Sequence, residues 1–551
     1  MYNFKLSAYK SEMFINNKRE QGAAMSKKLF GILFFGTFTL LNQGTAEAKL
    51  IQILHTNDTH SYLDSTHHNG EIGGAARLKS LIDFYKNKAA EEGIKSLVMD
   101  AGDFTEGNLY YMADQGRKVF EVHNEMGYDI GALGNHDYLM GTRDLDKILG
   151  EMDLKFSLVA ANLEMNSNFK NLREKIRPYK EIEIDGIKIG VLGLTTNEIF
   201  YKWRFEGGLI TNPYKAAKKY EEVLKARNND FIIALTHIGV LKDIKLAERT
   251  KYIDLIVGGH SHTALFQPSF GVNKNKRSVP IVQAGMHTEY LGKLVVDLVK
   301  GQPLKVVSYE LIPVKYEARD TKINSIVEEA NNDLDTAYGK EWLDENVGYS
   351  DLKVNDKDGS RKWAYFITDS MKEKSQADIA IHTPFMNGED YPIGNVTRRD
   401  LFNSIPRVYD LTEKYGWTIY TTKIKGVWLR LVFEALSHFG QPLTFSGLKL
   451  EYTKTEHGIK IQHLLINGSK INPFKYYTVA FTEGIVRGAE GVSPYTTALL
   501  RSPKNTKFKI WSTLEEKVGQ SMKLMKKINI NNISEDNHLL IMPNQNAELV
   551  D

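Results

Sequence analysis

The sequence predicts an α/β protein in two units joined by a helix. Three observations carry that expectation. Short apolar runs alternate with stretches of helical periodicity across residues 50–313. Five places, each at the end of an apolar run, carry Asp, His or Asn: Asn57-Asp58-Thr59-His60, Asp100-Ala101-Gly102-Asp103, Gly134-Asn135-His136-Asp137, Thr236-His237 and Gly258-Gly259-His260-Ser261-His262. A charged helical stretch, 315–345, then leads into a second α/β unit at 346–512.

In order, residues 50–57 read as a strand and 73–90 as a helix. A strand at 95–100 precedes a helix around 117–126. The strand 129–133, the helix 142–152 and the strand 156–162 follow at the same short spacing, which is the α/β rhythm. Two strands, 179–184 and 188–194, flank Asp185-Gly186 and read as a hairpin. Asn212 is a plausible N-cap for a helix at 213–226, with Pro213 in its first turn. Strands at 231–235, 254–257, 281–284 and 291–298 complete the first unit, which is expected to end at 314. Residues 513–551 are a polar C-terminal tail, rich in Lys and Asn, with one apolar patch at 539–542, and read as a docking helix or a loose tail.

At 551 residues the chain has room for two or three domains. Its 42% hydrophobic and 25% charged residues are ordinary for a globular protein. It has no cysteine, which excludes disulfides, thiolate metal sites and a Cys nucleophile. From Met25 the chain reads Lys27-Lys28, an apolar stretch 29–41 and Ala46-Glu47-Ala48. That is a secretory signal pattern with cleavage after Ala48, and residues 1–24 form an upstream extension. The apolar stretch is shorter than the roughly 20 residues a membrane span needs. Residues 1–48 hold six Lys/Arg and three Asp/Glu; removing them from totals of 71 and 68 leaves 65 of each. A neutral mature chain argues against nucleic acid as a partner. The expectation is a periplasmic or secreted protein with no membrane span.

The chemistry-bearing residues lie at the strand ends. Asp58 and His60, like His260 and His262, are two apart, and on an extended segment such residues project to one side. Asp103 has two carboxylate oxygens and can bridge. Asn135 supplies an uncharged amide oxygen. A mixed oxygen and nitrogen donor set without sulfur suits two divalent ions such as Zn²⁺, Mn²⁺ or Fe²⁺. Two such ions clamp attacking and leaving oxygens in phosphoester hydrolysis.

The blocks N-D-x-H, G-D, G-N-H-[DE], T-H and G-G-H-x-H occur in order, and in them the chain resembles the calcineurin-like metallophosphoesterases, specifically the secreted 5′-nucleotidase family, over residues 50–500. The resemblance implies a four-layer α/β catalytic domain joined by a helical linker to a second α/β domain that binds the nucleoside. It implies that Asp58, His60, Asp103 and His262 hold one metal, and Asp103, Asn135, His237 and His260 the other. It makes His136 the imidazole that assists the leaving group, with a metal-bound hydroxide as nucleophile. The expected substrate is a small phosphate ester, possibly a nucleotide.

Two departures stand out. The family's orienting Asp, three residues after the histidine, is here Leu139. An imidazole without its carboxylate loses tautomer control, so altered catalysis is expected unless another residue orients the ring; Asp137 is not an obvious substitute. In the second domain Gly394-Asn395-Val396-Thr397, Asp400-Leu401-Phe402, Pro406 and Phe445-Ser446-Gly447 match the family, while its ligand positions fall on Gly388, Pro442 and Gly484. Phe445, Phe481, Arg398 and Arg407 remain as substitutes, each with a core or surface role as the competing reading. Substrate-binding residues are therefore unassigned. Two other functions compete: hydrolysis of another tetrahedral ester, as in sulfate thiohydrolases, and metal binding with little turnover. N-terminal sequencing of the protein from its native source is expected to start at Lys49; an uncleaved cytoplasmic chain would count against export.

Overall fold

Alternation along the first strand, Lys49–Thr56, sets the layering. Ile51 and Ile53 face one apolar cluster and Leu54 faces another, because successive strand residues project to opposite sides. Both faces are buried, and the strand therefore reads as a nearly continuous apolar run. In this computed structural model residues 48–64, 72–166, 168–198, 204–315, 318–350, 357–383, 386–388, 394–438, 444–455, 458–487 and 503–523 are described. The expected signal segment and upstream extension, except Ala48, and residues 524–551 of the expected tail lie outside them.

The strand Lys49–Thr56 belongs to a seven-stranded sheet. Its order is Lys305–Pro313, Tyr290–Leu298, Lys49–Thr56, Lys95–Asp100, Ile130–Ala132, Ser157–Val159 and Ile176–Arg177. Neighbours are parallel from Lys49–Thr56 onward and antiparallel before it. A six-stranded sheet runs Ser269–Val272, Ser278–Val282, Leu255–Gly258, Phe231–His237, Ile187–Thr195 and Tyr179–Ile184, with its middle four strands parallel. The inner faces share one core in which Ile51, Ile53, Leu97 and Met99 meet Val191, Ile233, Leu235 and Val257.

Helices close both outer faces. Ala75–Glu91 and Arg117–Glu125 contribute Leu78, Leu81, Ile82, Val119 and Phe120 to the core behind the first sheet. Pro213–Ala226 and Val240–Arg249 contribute Ala217, Leu224, Leu246 and Ala247 behind the second. The result is four layers, helix, sheet, sheet, helix, with the carboxyl ends of the parallel strands gathered at one edge. Local chemistry matches the expected boundaries. Asp185 and Gly186 take φ of 49° and 81°, as a tight hairpin requires. The Asn212 side chain accepts from the Lys215 N–H at 3.1 Å, capping the helix that Pro213 begins.

The linking helix is Thr321–Tyr338, capped by Asp320, which accepts from the Ile323 N–H at 2.9 Å. Ile323, Val327, Ala330 and Leu334 form its buried stripe, and it packs on Ala75–Glu91 and Arg117–Glu125. The second domain holds a five-stranded sheet in the order Thr444–Ser446, Ile379–His382, Tyr476–Thr482, Thr418–Lys425 and Lys504–Lys509. Helix Lys357–Ser375 packs on it through Ile367 and Met371. Residues 510–523 form a further helix that buries Ile510, Trp511, Leu514 and Val518, so over 513–523 the docking-helix reading holds, with the helix beginning before 513. The core behind the first sheet continues through Val327 and Leu334 of the linking helix to Phe402, Phe445 and Val518.

Close approach of the two sheets explains one glycine. A Cβ on Gly193 would lie 2.2 Å from the Val159 carbonyl oxygen, which is backbone and cannot swing aside. Overpacking of this kind costs about 1–3 kcal/mol. Gly193→Ala is expected to lower unfolding stability by that amount or more, read from urea denaturation; an unchanged midpoint would mean that the sheets slide apart freely.

Candidate active site

The five segments singled out in the sequence meet where the parallel strands end. Asn57–His60 follows Lys49–Thr56, Asp103 follows Lys95–Asp100, and Asn135 and His136 follow Ile130–Ala132. His237 ends Phe231–His237, and His260 and His262 lie beyond Leu255–Gly258. The expectation that Asp58/His60 and His260/His262 share a side through extended backbone is not met. Asp58 has φ 52°, His60 49°, His260 82° and His262 53°, and Asp103 between them has 57°. Left-handed turns aim these side chains; such conformations are uncommon for residues with a Cβ and concentrate at functional sites.

Backbone and side-chain hydrogen bonds hold the turns. Asp58 N–H donates to Gly102 O at 2.8 Å and His60 N–H to Asp103 O at 2.9 Å. Asn57 donates through Nδ2 to Gly285 O at 2.6 Å and accepts at Oδ1 from Ala284 N–H at 2.7 Å. Asp137 accepts from the N–H groups of Gly134 (2.7 Å), Asp103 (2.9 Å) and Thr105 (3.0 Å). It therefore serves the loops and not the His136 ring.

Three overlapping groups result. Asp58, His60 and His262 offer ligand atoms within 4.8 Å of one another, as do Asp103, His237 and His260, and between them His60, Asp103 and His136. His262 Nε2 lies 3.0 Å from His60 Nε2 and 3.4 Å from Asp58 Oδ1. His237 Nε2 lies 2.9 Å from Asp103 Oδ2 and 3.8 Å from Asp58 Oδ1, which links the first two groups. The Nδ1 atoms of His60 and His237 sit 2.8 Å from the carbonyl oxygens of Glu106 and Ala101, fixing which nitrogen points inward. Asp58, Asp103, Asn135 and His237 are fully buried, while His262 lines the mouth.

The electrostatics are those of a cation site. Burial opposes ionisation of Asp58, but His262 and His237 more than offset it and hold its pKa down to about 2. Burial lowers His237, yet Asp103 and Asp58 bring it up to about 10. Burial and the nearby His136 push His60 down to about 3. A proton and a metal compete for the same imidazole nitrogen, so metal affinity falls as pH falls. Both amide atoms of Asn135 are buried without a hydrogen-bond partner, and His237 Nε2 makes no well-directed hydrogen bond despite its proximity to Asp103. Buried polar atoms left in this way suit a metal centre.

Sequence reasoning missed Glu106. Its Oε2 accepts a hydrogen bond from His136 Nδ1 and pairs with Arg407 Nη1 at 2.7 Å. Leu139 is packed in the core, 3% exposed. The ring therefore does have an orienting carboxylate, supplied by the loop after Asp103. Burial disfavours charge on Glu106, and Arg407 and then His136 outweigh it, lowering its pKa. The signal available was a carboxylate three residues after Asp103, which no strand-end pattern includes. The other candidate substitutes are occupied. Phe445 and Phe481 are buried in the core. Arg398 pairs with Glu345 and, at 2.7 Å, with Glu515, and it lies over the Trp342 ring. Positions 384–385, 442 and 488–491 lie outside the described residues.

Residues 51–264 match the calcineurin-like phosphoesterase family, and residues 345–498 match the 5′-nucleotidase C-terminal domain. The chain is a divergent member of the 5′-nucleotidase family. A trifunctional nucleotide phosphoesterase of Bacillus subtilis is 26% identical over 512 residues, 81% of this chain and 32% of that protein. A snake venom 5′-nucleotidase of Naja atra is 26% identical over 454 residues, 73% of this chain and 82% of its own length. The chain thus spans about a third of the first relative and most of the second. The crystal structure of a 5′-nucleotidase precursor from Thermus thermophilus superposes with a TM-score of 0.74 at 22% identity, over 86% of this chain and 96% of that one. That likeness shows the shared fold. Family membership implies divalent metals, and the donor groups fit them.

A Cβ on Gly134 would lie 2.0 Å from Asp103 Oδ1 and 2.4 Å from Asp103 N. Gly134→Ala is expected to displace the Asp103 carboxylate and weaken Mn²⁺ uptake at least tenfold in equilibrium dialysis, with far-UV circular dichroism unchanged. Undiminished uptake would remove Asp103 from the donor set.

Proposed function

We propose that the chain is an exported phosphoester hydrolase with two divalent metals, acting on a small phosphate monoester, with nucleotides the first class to test. The observation that carries this reading is the pair of donor groups joined through Asp58 and Asp103, with His136 beside them. Asp58, His60, Asp103 and His262 would hold one ion, and Asp103, Asn135, His237 and His260 the other. Bound there, the ions supply Lewis acidity toward the phosphoryl oxygens and the attacking water. Zn²⁺, Mn²⁺ and Fe²⁺ all suit the donors.

The chain's own groups supply the rest. His136 Nδ1 is engaged by Glu106, which leaves Nε2, 4.0 Å from Asp103 Oδ2, directed at the site. Protonated at both nitrogens, the ring gives its Nε2 proton to the leaving oxygen and is left as the neutral Nδ1–H form that Glu106 holds. The carbonyl contacts of His60 and His237 keep their Nε2 atoms directed at the ions. Export fits the sequence before Lys49, and no helix among the described residues is long and apolar enough to cross a membrane.

Kinetics on a panel of aryl phosphates, alkyl phosphates, nucleotides and sulfate esters tests the reading. Mn²⁺-dependent phosphate release that a chelator abolishes is expected. General acid–base assistance is worth about 10²–10⁴ in rate, so His136→Ala should lose that factor on an alkyl phosphate while both metals are retained. Elemental analysis showing one metal in an active preparation would overturn the two-ion reading. Preferential sulfate release would move the protein to the other ester class, and a metal-loaded chain inert on the whole panel would be a binding module.

A further inference from the structure

Arg407 belongs to the second domain, yet its guanidinium reaches the loop that orients the catalytic imidazole. Both contacts of Glu106 fall on one oxygen: Oε2 takes the His136 Nδ1 hydrogen and lies 2.7 Å from Arg407 Nη1. Glu106 is fully buried and Arg407 is mostly so. A buried carboxylate keeps its charge and orientation only with a partner. Removing the guanidinium would free the Glu106 carboxylate to turn away from His136, which releases the ring.

The surrounding contacts fix the same relationship. Asn403 Oδ1, at the end of helix Arg398–Asn403, accepts from Leu109 N–H at 2.8 Å, three residues after Glu106. Arg204 donates through Nε to Leu139 O and through Nη2 to Met140 O, each at 2.5 Å, just past His136. The same Nη2 donates to Tyr409 O at 2.7 Å, two residues after Arg407. Trp511 Nε1 donates to Ile405 O at 2.8 Å and braces the Arg407 segment from within the second domain. The loops on either side of His136 are thus tied to the stretch 403–409.

The geometry assigns Glu106 and Arg407 as positioning residues: Arg407 holds Glu106 against His136, so the tautomer of the catalytic ring depends on the seating of the second domain. This rests on the proposed role of His136. It makes the second domain part of the catalytic apparatus whatever substrate it binds.

The test is a double-mutant cycle on the full chain, read in two ways. Nitrogen-15 NMR of histidine-labelled protein reports the His136 tautomer, with His136→Gln identifying the signal. Wild type is expected to show the Nδ1–H form; Glu106→Ala and Arg407→Ala should each shift it to a mixture, and Arg407→Lys should restore part of it. Adding Arg407→Ala to Glu106→Ala should change nothing further, since one residue acts through the other. Kinetics supply the second reading. Each single variant should lose kcat on an alkyl phosphate at least tenfold more than on p-nitrophenyl phosphate, whose leaving group needs little protonation. An unchanged tautomer in Arg407→Ala overturns the inference. So does an equal rise in KM for both substrates that persists in the Glu106→Ala background, which would make Arg407 a phosphate contact. The NMR reading needs no turnover, so a chain inert on every ester would sink the proposed function while leaving this inference to be decided by the spectra.

Discussion

Three N–H groups converging on the Asp137 carboxylate hold the site together. They come from Gly134, Asp103 and Thr105 and bind two strand-end loops into one body. Asp103 takes its left-handed conformation within that clamp, and its Oδ1 accepts the His136 N–H at 2.7 Å. Thr105 Oγ1 donates to His136 O at 2.9 Å, and Glu106 follows at the next position. Asp103, Asn135, His136 and Glu106 therefore share one scaffold. Burial and then the neighbouring Asp103 push the Asp137 carboxyl well above the usual carboxylate range, and its three hydrogen bonds serve to aim other side chains.

The donor set was legible in the sequence because each member lies next to an apolar run long enough to be a buried strand. Parallel strands deliver such residues to one edge of the sheet. The orientation of the donors was not legible. Spacing of two suggested extended segments, whereas Asp58, His60, His260 and His262 are turned by positive φ that only tertiary hydrogen bonds stabilise. Glu106 was hidden for a related reason: its partner His136 is 30 residues away and its second partner Arg407 is 301 away. The family's pattern places the orienting acid three residues past the histidine, where this chain has Leu139. Elements followed the same rule. The capped helix Pro213–Ala226 was readable from Asn212 and Pro213. The edge strand Lys305–Pro313 is exposed along much of its length, and the helix Val240–Arg249 starts after Gly239 with no side-chain cap and no proline, so neither announces itself in the same way.

By resemblance the family's nucleoside contacts fall on Gly388, Pro442 and Gly484, and in this structure Arg398 and Arg407 have partners of their own. Arg398 braces the junction with the linking helix through Glu345, Glu515 and Trp342. Arg407 reaches the catalytic loop. Phe402 stacks on Trp511 with ring centres 4.7 Å apart, and Phe445 meets Phe433 edge-on at 4.8 Å. The rings of Phe402, Phe445 and Phe481 are thus taken up by packing. An apolar core running from the catalytic helices through the linking helix into this domain gives the chain a continuous interior.

Left-handed backbone at five of the donor positions has a consequence for how variants are judged. Glycine is at ease at positive φ, and asparagine tolerates it better than most residues. Replacing one of these residues with either relaxes the backbone and removes a buried charge or imidazole, at the cost of the metal coordination proposed for it. Such a chain would melt later and do nothing. Screens that rank variants of this protein by thermal shift would therefore favour dead ones, because the strain that destabilises these turns is what keeps the donors pointed at one another.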